Sequence, residues 1–112
     1  MYLKVHIIFL LMIWLRVSAA LVQKTFFVGS IGELRCSSSF PPPWMKGSHK
    51  TGDFRIIGVN GNKHPNFDEP RFEFYKDANE YVIKISDVHL VDAGKFVCEG
   101  DTSTSYLVTV IG

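Results

Sequence analysis

Only two of the 112 residues are cysteine, Cys36 and Cys98, and no second cysteine stands close enough to either to make a paired-cysteine metal motif. Histidine is sparse too, with four in the chain, one of them near the N-terminus at position 6. His49, His64 and His89 lie far apart, and no His-Glu-x-x-His run is present, so they read as surface or turn residues and no metal is expected. No glycine-rich loop is built to cradle phosphate, and no serine sits on a strand-to-helix nucleophile turn, which leaves neither phosphoryl nor acyl transfer a foothold. The chain is therefore not expected to be an enzyme or to carry a cofactor. Neither sign of charge dominates, with 12 basic against 11 acidic residues, so the basic stripe that nucleic-acid binding needs is missing. Asn60, Asn62, Asn66 and Asn79 all lack a Ser or Thr two positions on, and N-linked glycans are not expected. There is no repeat and no biased tract, and 46% of the residues are hydrophobic, which fits one small globular domain.

Residues 1–20, MYLKVHIIFLLMIWLRVSAA, stand apart from the rest. A weakly basic start at Lys4 and His6 precedes an apolar run, and Ser18, Ala19 and Ala20 supply the small residues that signal peptidase requires. The uncharged stretch between Lys4 and Arg16 is well short of the roughly 20 residues that span a bilayer, so a secretory signal peptide is expected, with cleavage after Ala20. The domain then occupies residues 21–112. Removing Lys4 and Arg16 leaves it close to neutral, with 10 basic and 11 acidic residues.

Within the domain the apolar residues alternate as strands require. Residues 21–30 (LVQKTFFVGS) read as an edge strand that bends at Gly29 and Gly32, and Leu34 and Cys36 share one parity of the next strand. Residues 37–43 form a loop stiffened by Pro41, Pro42 and Pro43, which fix their own φ and offer no backbone donor. Trp44 follows. Phe54 to Val59 reads as a strand, and Asn60-Gly61 after it is a strong signal for a two-residue hairpin. An irregular connection crosses Pro65 and Pro70 before a strand at residues 71–75. Tyr81, Ile83 and Ile85 then alternate with Val82, Lys84 and Ser86, a corner carries Asp92-Ala93-Gly94, and Phe96 and Cys98 resume the alternation. Tyr106 to Val110 closes the sheet.

Cys36, Trp44, Arg71-Phe72, Tyr81-x-Ile83-x-Ile85-x-x-Val88 and Asp92-Ala93-Gly94-x-Phe96-x-Cys98 together resemble the immunoglobulin superfamily, over nearly all of residues 22–112. The inserted strand at Phe54 resembles single variable-type or intermediate-type domains. More loosely, the Asn-Gly turn, Pro-Arg-Phe and the Asp-Ala-Gly corner resemble the membrane-distal domains of neural cell-adhesion proteins. The resemblance implies an all-β, immunoglobulin-like antiparallel sandwich with one inter-sheet disulfide, Cys36 to Cys98, which leaves no thiol nucleophile. It implies a core of Leu34, Trp44, Ile83, Ile85 and Phe96, and an ion pair between Arg71 and Asp92. Two departures stand out. Trp44 follows Cys36 by fewer positions than the family usually allows, which means either a tight first loop or a core Trp in a shifted register. Phe96 also stands where the family's corner tyrosine normally does. The Phe-Gly-x-Gly bulge of antigen receptors is missing, which points toward adhesion or receptor-type domains.

By the same resemblance, the sheet holding the Trp44, Phe54, Cys98 and Tyr106 strands is the face used for pairing. Met45, Lys95, Val97 and Glu99 should point outward there. Because residues 54–59 are apolar on both parities, either Phe54 and Ile56 or Arg55, Ile57 and Val59 should join them. The function implied is a secreted, extracellular recognition protein of adhesion or receptor-ligand type. Its partner is expected to be protein, either a second copy or another receptor of the superfamily, with no nucleic acid and no transmembrane segment after signal cleavage. Two alternatives are a secreted humoral immune factor that binds microbial surfaces and a truncated ectodomain of a longer adhesion receptor.

Overall fold

The computed structural model describes residues 19–47 and 53–112; the expected signal peptide up to Ser18, and His49, lie outside the described residues. Among the described residues nine strands form two sheets: β1 (Ala19–Phe27), β2 (Gly32–Ser37), β3 (Trp44–Gly47), β4 (Phe54–Val59), β5 (Asn62–Lys63), β6 (Phe72–Asp77), β7 (Glu80–Ile85), β8 (Gly94–Glu99) and β9 (Ser103–Ile111). One sheet has six strands in the order β1-β9-β8-β3-β4-β5, and the other has three in the order β2-β7-β6. All pairs are antiparallel except β1 with β9, which run parallel. The result is an all-β sandwich compatible with an immunoglobulin-like fold.

Strict alternation explains the core. From the three-stranded sheet, Leu34, Cys36, Phe72, Ile83 and Ile85 face inward, and from the six-stranded sheet Trp44, Ile57, Phe96, Cys98, Tyr106 and Val108 meet them. The disulfide Cys36–Cys98 joins the two sheets through this layer. Trp44 is paired in register with Cys98 and is 1% exposed, so the short spacing after Cys36 still delivers a core indole. Proximity of the indole to the ring of Tyr106, 6.3 Å away and stacked, extends that packing toward β9.

Strand β4 breaks the alternation. Trp44 pairs with Gly58 but Met45 pairs with Ile56, so Ile57 is an extra residue on β4. This bulge lets both Ile57 and Gly58 turn inward, while Phe54 and Ile56 stay on the outer face. Gly58 must be glycine, because a Cβ there would stand 2.7 Å from the Phe74 ring and 3.2 Å from the Trp44 Cβ. At the end of β4, Asn60 and Gly61 both take positive φ, 54° and 78°, as a two-residue turn between antiparallel strands demands.

Among the described strands, β2 has a neighbour on one side only. On its open side the Arg35 N–H donates to the Tyr106 hydroxyl at 3.3 Å, and that hydroxyl donates in turn to the Arg35 carbonyl. A single side chain from the opposite sheet thereby satisfies both backbone groups of Arg35. Phe96 fills its core position with a bare ring, and the cross-sheet hydroxyl bond comes from Tyr106 instead. We expect Tyr106→Phe to cost about 1 to 2 kcal/mol, since it strands a partly buried donor and acceptor. A denaturant midpoint equal to wild type would remove this staple from the account.

Candidate functional site

The two outer faces of the sandwich differ in chemistry. On the three-stranded sheet most outward residues are charged, and Arg35 gathers several of them: it reaches Asp77 at 3.0 Å, Glu80 at 3.2 Å and Glu33 at 3.3 Å, and the Tyr75 hydroxyl donates to Glu33 at 2.9 Å. The hydrogen bond to Glu33, together with desolvation, raises the pKa of the Tyr75 phenol. Such exposed pairs contribute little stability and leave a face content in water.

Among the described residues, the outer face of the six-stranded sheet carries no comparable network. Cross-strand register places Ile56, Met45, Val97, Ser105 and Leu21 side by side on five successive strands, β4, β3, β8, β9 and β1. At 4.8 Å between strands this row is roughly 20 Å long. Beside it, Phe54 lies opposite Gly47, and Lys95, Leu107 and Gln23 are aligned on the neighbouring strands. Leu21, Phe54, Ile56 and Leu107 are between 44% and 66% exposed. The Lys95 ammonium lies 6.0 Å from the centre of the Phe54 ring, and Glu99 stands exposed opposite Ser103 at the edge of the face. The face thus presents largely apolar side chains, broken by Ser105 and bordered by Lys95, Gln23 and Glu99.

The sequence-derived site residues fall as follows. Leu34, Trp44, Ile83, Ile85 and Phe96 lie in the core. On the outer face Phe54, Ile56, Lys95 and Glu99 are exposed and Met45 is half-buried. Val97 requires a correction. It has the outward parity but is only 8% exposed, because a short side chain on a central strand is shielded by its longer neighbours. Val97 therefore forms the floor of the surface, and its rim is supplied by Leu21 and Leu107, which the sequence reading missed. Leu107 was legible, since its parity is opposite to that of the inward Tyr106 and Val108. Leu21 needed the β1–β9 register, which no local signal carries.

Other exposed apolar side chains, Phe27, Val28, Leu90 and Ile111, lie at the end of the sandwich where β1 and β9 finish. Backbone bonds from Val28 N–H to the Ile111 carbonyl and from Gly29 N–H to the Val88 carbonyl, both 2.8 Å, hold that end together.

The corner before β8 is organised by Arg71. Its guanidinium donates to both Asp92 oxygens, at 2.7 and 2.9 Å, and to Glu69 at 3.1 Å. Burial alone would push the Asp92 carboxyl up, but the hydrogen bonds from Arg71 and from the His89 N–H, with the guanidinium charge, outweigh it and hold its pKa below the usual value. Nearby, burial draws the Lys46 ammonium below its ordinary pKa; Asp92 opposes that shift and Arg55 adds to it. Among the described residues no group of His, Cys, Asp and Glu could hold a metal ion, and no helix is long and apolar enough to cross a membrane. No model of a known protein family matches the chain, and a search of curated proteins found no match.

Proposed function

We propose that this chain is a variable-type or intermediate-type domain of the immunoglobulin superfamily, secreted through its N-terminal leader, which acts outside the cell as a non-catalytic recognition module for a protein partner. The observation that carries the reading is the row from Ile56 to Leu21 across five strands, apolar at every position but Ser105, set against a charged face on the other sheet where Arg35 pairs with Glu33, Asp77 and Glu80. Apolar, low-charge surface rimmed by polar side chains is what the buried centre of a protein interface requires. The Cys36–Cys98 disulfide supports an oxidising compartment. Adhesion or receptor-ligand binding, to a second copy or to a related receptor, fits such a face.

The test uses the oxidised protein in sedimentation velocity over a wide concentration range, followed by binding to arrayed cell-surface ectodomains and to microbial polysaccharides. Ile56→Lys places a charge at the β4 end of the row while altering a side chain that is 48% exposed, so its melting midpoint should match wild type. Self-association or ectodomain binding should weaken at least tenfold, equivalent to about 1.4 kcal/mol. Binding that Ile56→Lys and Leu107→Lys both leave intact would move the site off this sheet. Capture of polysaccharide with no ectodomain bound would replace the adhesion reading with that of a humoral defence factor.

A further inference from the structure

Beside β3 and β4, under the edge of the apolar face, lies a cleft of about 460 Å³. That volume is within the range of small-ligand sites, about 300 to 1,000 Å³. Its apolar lining is Phe54, Phe67, Phe72 and Val91, and the Phe67 and Phe72 rings meet edge to face at 5.1 Å. Two cations border it. Lys46 and Arg55 are directly opposite each other in the β3–β4 register, an arrangement of like charges that disfavours the pair by itself.

Neither cation forms a salt bridge with a described carboxylate. The Lys46 ammonium donates to the Gly47 and Ala93 carbonyls at 3.3 and 3.4 Å, which uses two of its three N–H groups. The Arg55 guanidinium stacks 5.0 Å from the centre of the Phe67 ring and donates to no described residue. The acids at the cleft are already committed: Asp92 accepts from Arg71 at both oxygens and from the His89 N–H, Glu69 accepts from Arg71, and Asp53 has a contact of its own. The lining holds two cations against three carboxylates, two of which are offset by the Arg71 guanidinium bonded to them, while the Arg55 N–H groups and one of Lys46 have no acceptor among the described residues. A ligand that completes the cleft must bring acceptor oxygens and negative charge at one end and apolar surface at the other.

We propose that this cleft binds a small organic acid whose carboxylate bridges Lys46 and Arg55 and whose apolar body lies among Phe54, Phe67 and Phe72. A planar carboxylate matches the fork of a guanidinium with two parallel N–H donors, and its charge relieves the opposition between the two cations. The site goes beyond the recognition face, which it touches only at Phe54.

The experiment is a titration of the oxidised, isotope-labelled protein with 3-phenylpropionate, followed by amide chemical shifts, with 3-phenylpropionamide and phenethylamine as neutral and cationic counterparts. The acid should give saturable shifts centred on Phe67, Phe72, Val91 and Ala93, the amide should bind at least tenfold more weakly, and the amine should not bind. Lys46→Met and Arg55→Gln should each weaken the acid at least fivefold without lowering the melting midpoint, and Ile56→Lys should leave it unchanged. Equal affinity for acid and amide, no saturable shift, or indifference to both cation variants would overturn the proposal. Because Ile56→Lys tests the recognition face separately, failure of one site is distinguishable from failure of the other.

Discussion

Cys36→Ser should lower the thermal midpoint of the oxidised protein by roughly 20 °C, the largest single effect expected in this domain. The cross-link closes a loop with a sequence separation of 62, and in the chain-entropy model a loop of that size restrains the unfolded chain by about 4 kcal/mol. Domains of this size have only about 5 to 15 kcal/mol in total, and each kcal/mol moves the midpoint by about 4 to 8 °C. Two further costs add to the entropy. Cys36 and Cys98 are 2% and 0% exposed, so the new hydroxyl is placed in the layer that holds Trp44, and the orphaned Cys98 becomes a thiol in the core. A double replacement by alanine separates the contributions, because it removes the cross-link without burying a hydroxyl. It should recover part of the loss, but only part. Circular dichroism in the near and far ultraviolet reads both variants, and a Cys36→Ser midpoint within a few degrees of wild type would mean that the two sheets are held by packing alone.

That layer was also the most legible part of the chain. Leu34, Cys36, Phe96 and Cys98 announce themselves because an inward residue on a strand recurs at every second position, a period that survives without any knowledge of the partner strand, whereas the core place of Trp44 was implied by the resemblance and not by any period of its own. The hairpin at Asn60-Gly61 was legible for a different reason: few residue pairs tolerate positive φ twice in succession. What could not be read was whatever depends on how one strand meets another. The bulge at Ile57 resets the parity of β4, and only its pairing with β3 reveals that Phe54 and Ile56, not Ile57, face outward. The burial of Val97 is likewise a property of its neighbours, since its own parity is that of an exposed residue. Tyr106 looked like one more aromatic in a closing strand, and its role depends on the open side of β2, seventy-one positions away in sequence. The cleft is less legible still, being assembled from β3, β4, the segment before β6, the start of β6 and the corner before β8.

Asp92→Ala should destabilise the domain by about 3 kcal/mol, more than the loss of an exposed ion pair, because the carboxylate side chain is only 4% exposed and Arg71 is 15% exposed. The substitution removes two charge-assisted hydrogen bonds from Arg71 and leaves the guanidinium with Glu69 and the Asp87 carbonyl as its acceptors. It also takes the acceptor away from the His89 N–H, which the same carboxylate caps at 2.7 Å. Most of the cost therefore comes from groups left behind, not from the pair's own attraction. If so, Arg71→Met combined with Asp92→Leu should be distinctly less damaging than Asp92→Ala alone, since neither member of the pair is left buried without the other. The pH dependence supplies an independent check. The folded-state pKa of Asp92 lies below its unfolded value of about 3.9, so the folded protein holds fewer protons and the pair stabilises it fully only above that value. As pH falls from about 4 through the folded pKa, the contribution disappears. Wild type should lose stability over that window more steeply than Asp92→Ala, and the two curves should converge in acid. Parallel curves across the window would show that Asp92 titrates alike in both states, and that its link to Arg71 contributes nothing to folding.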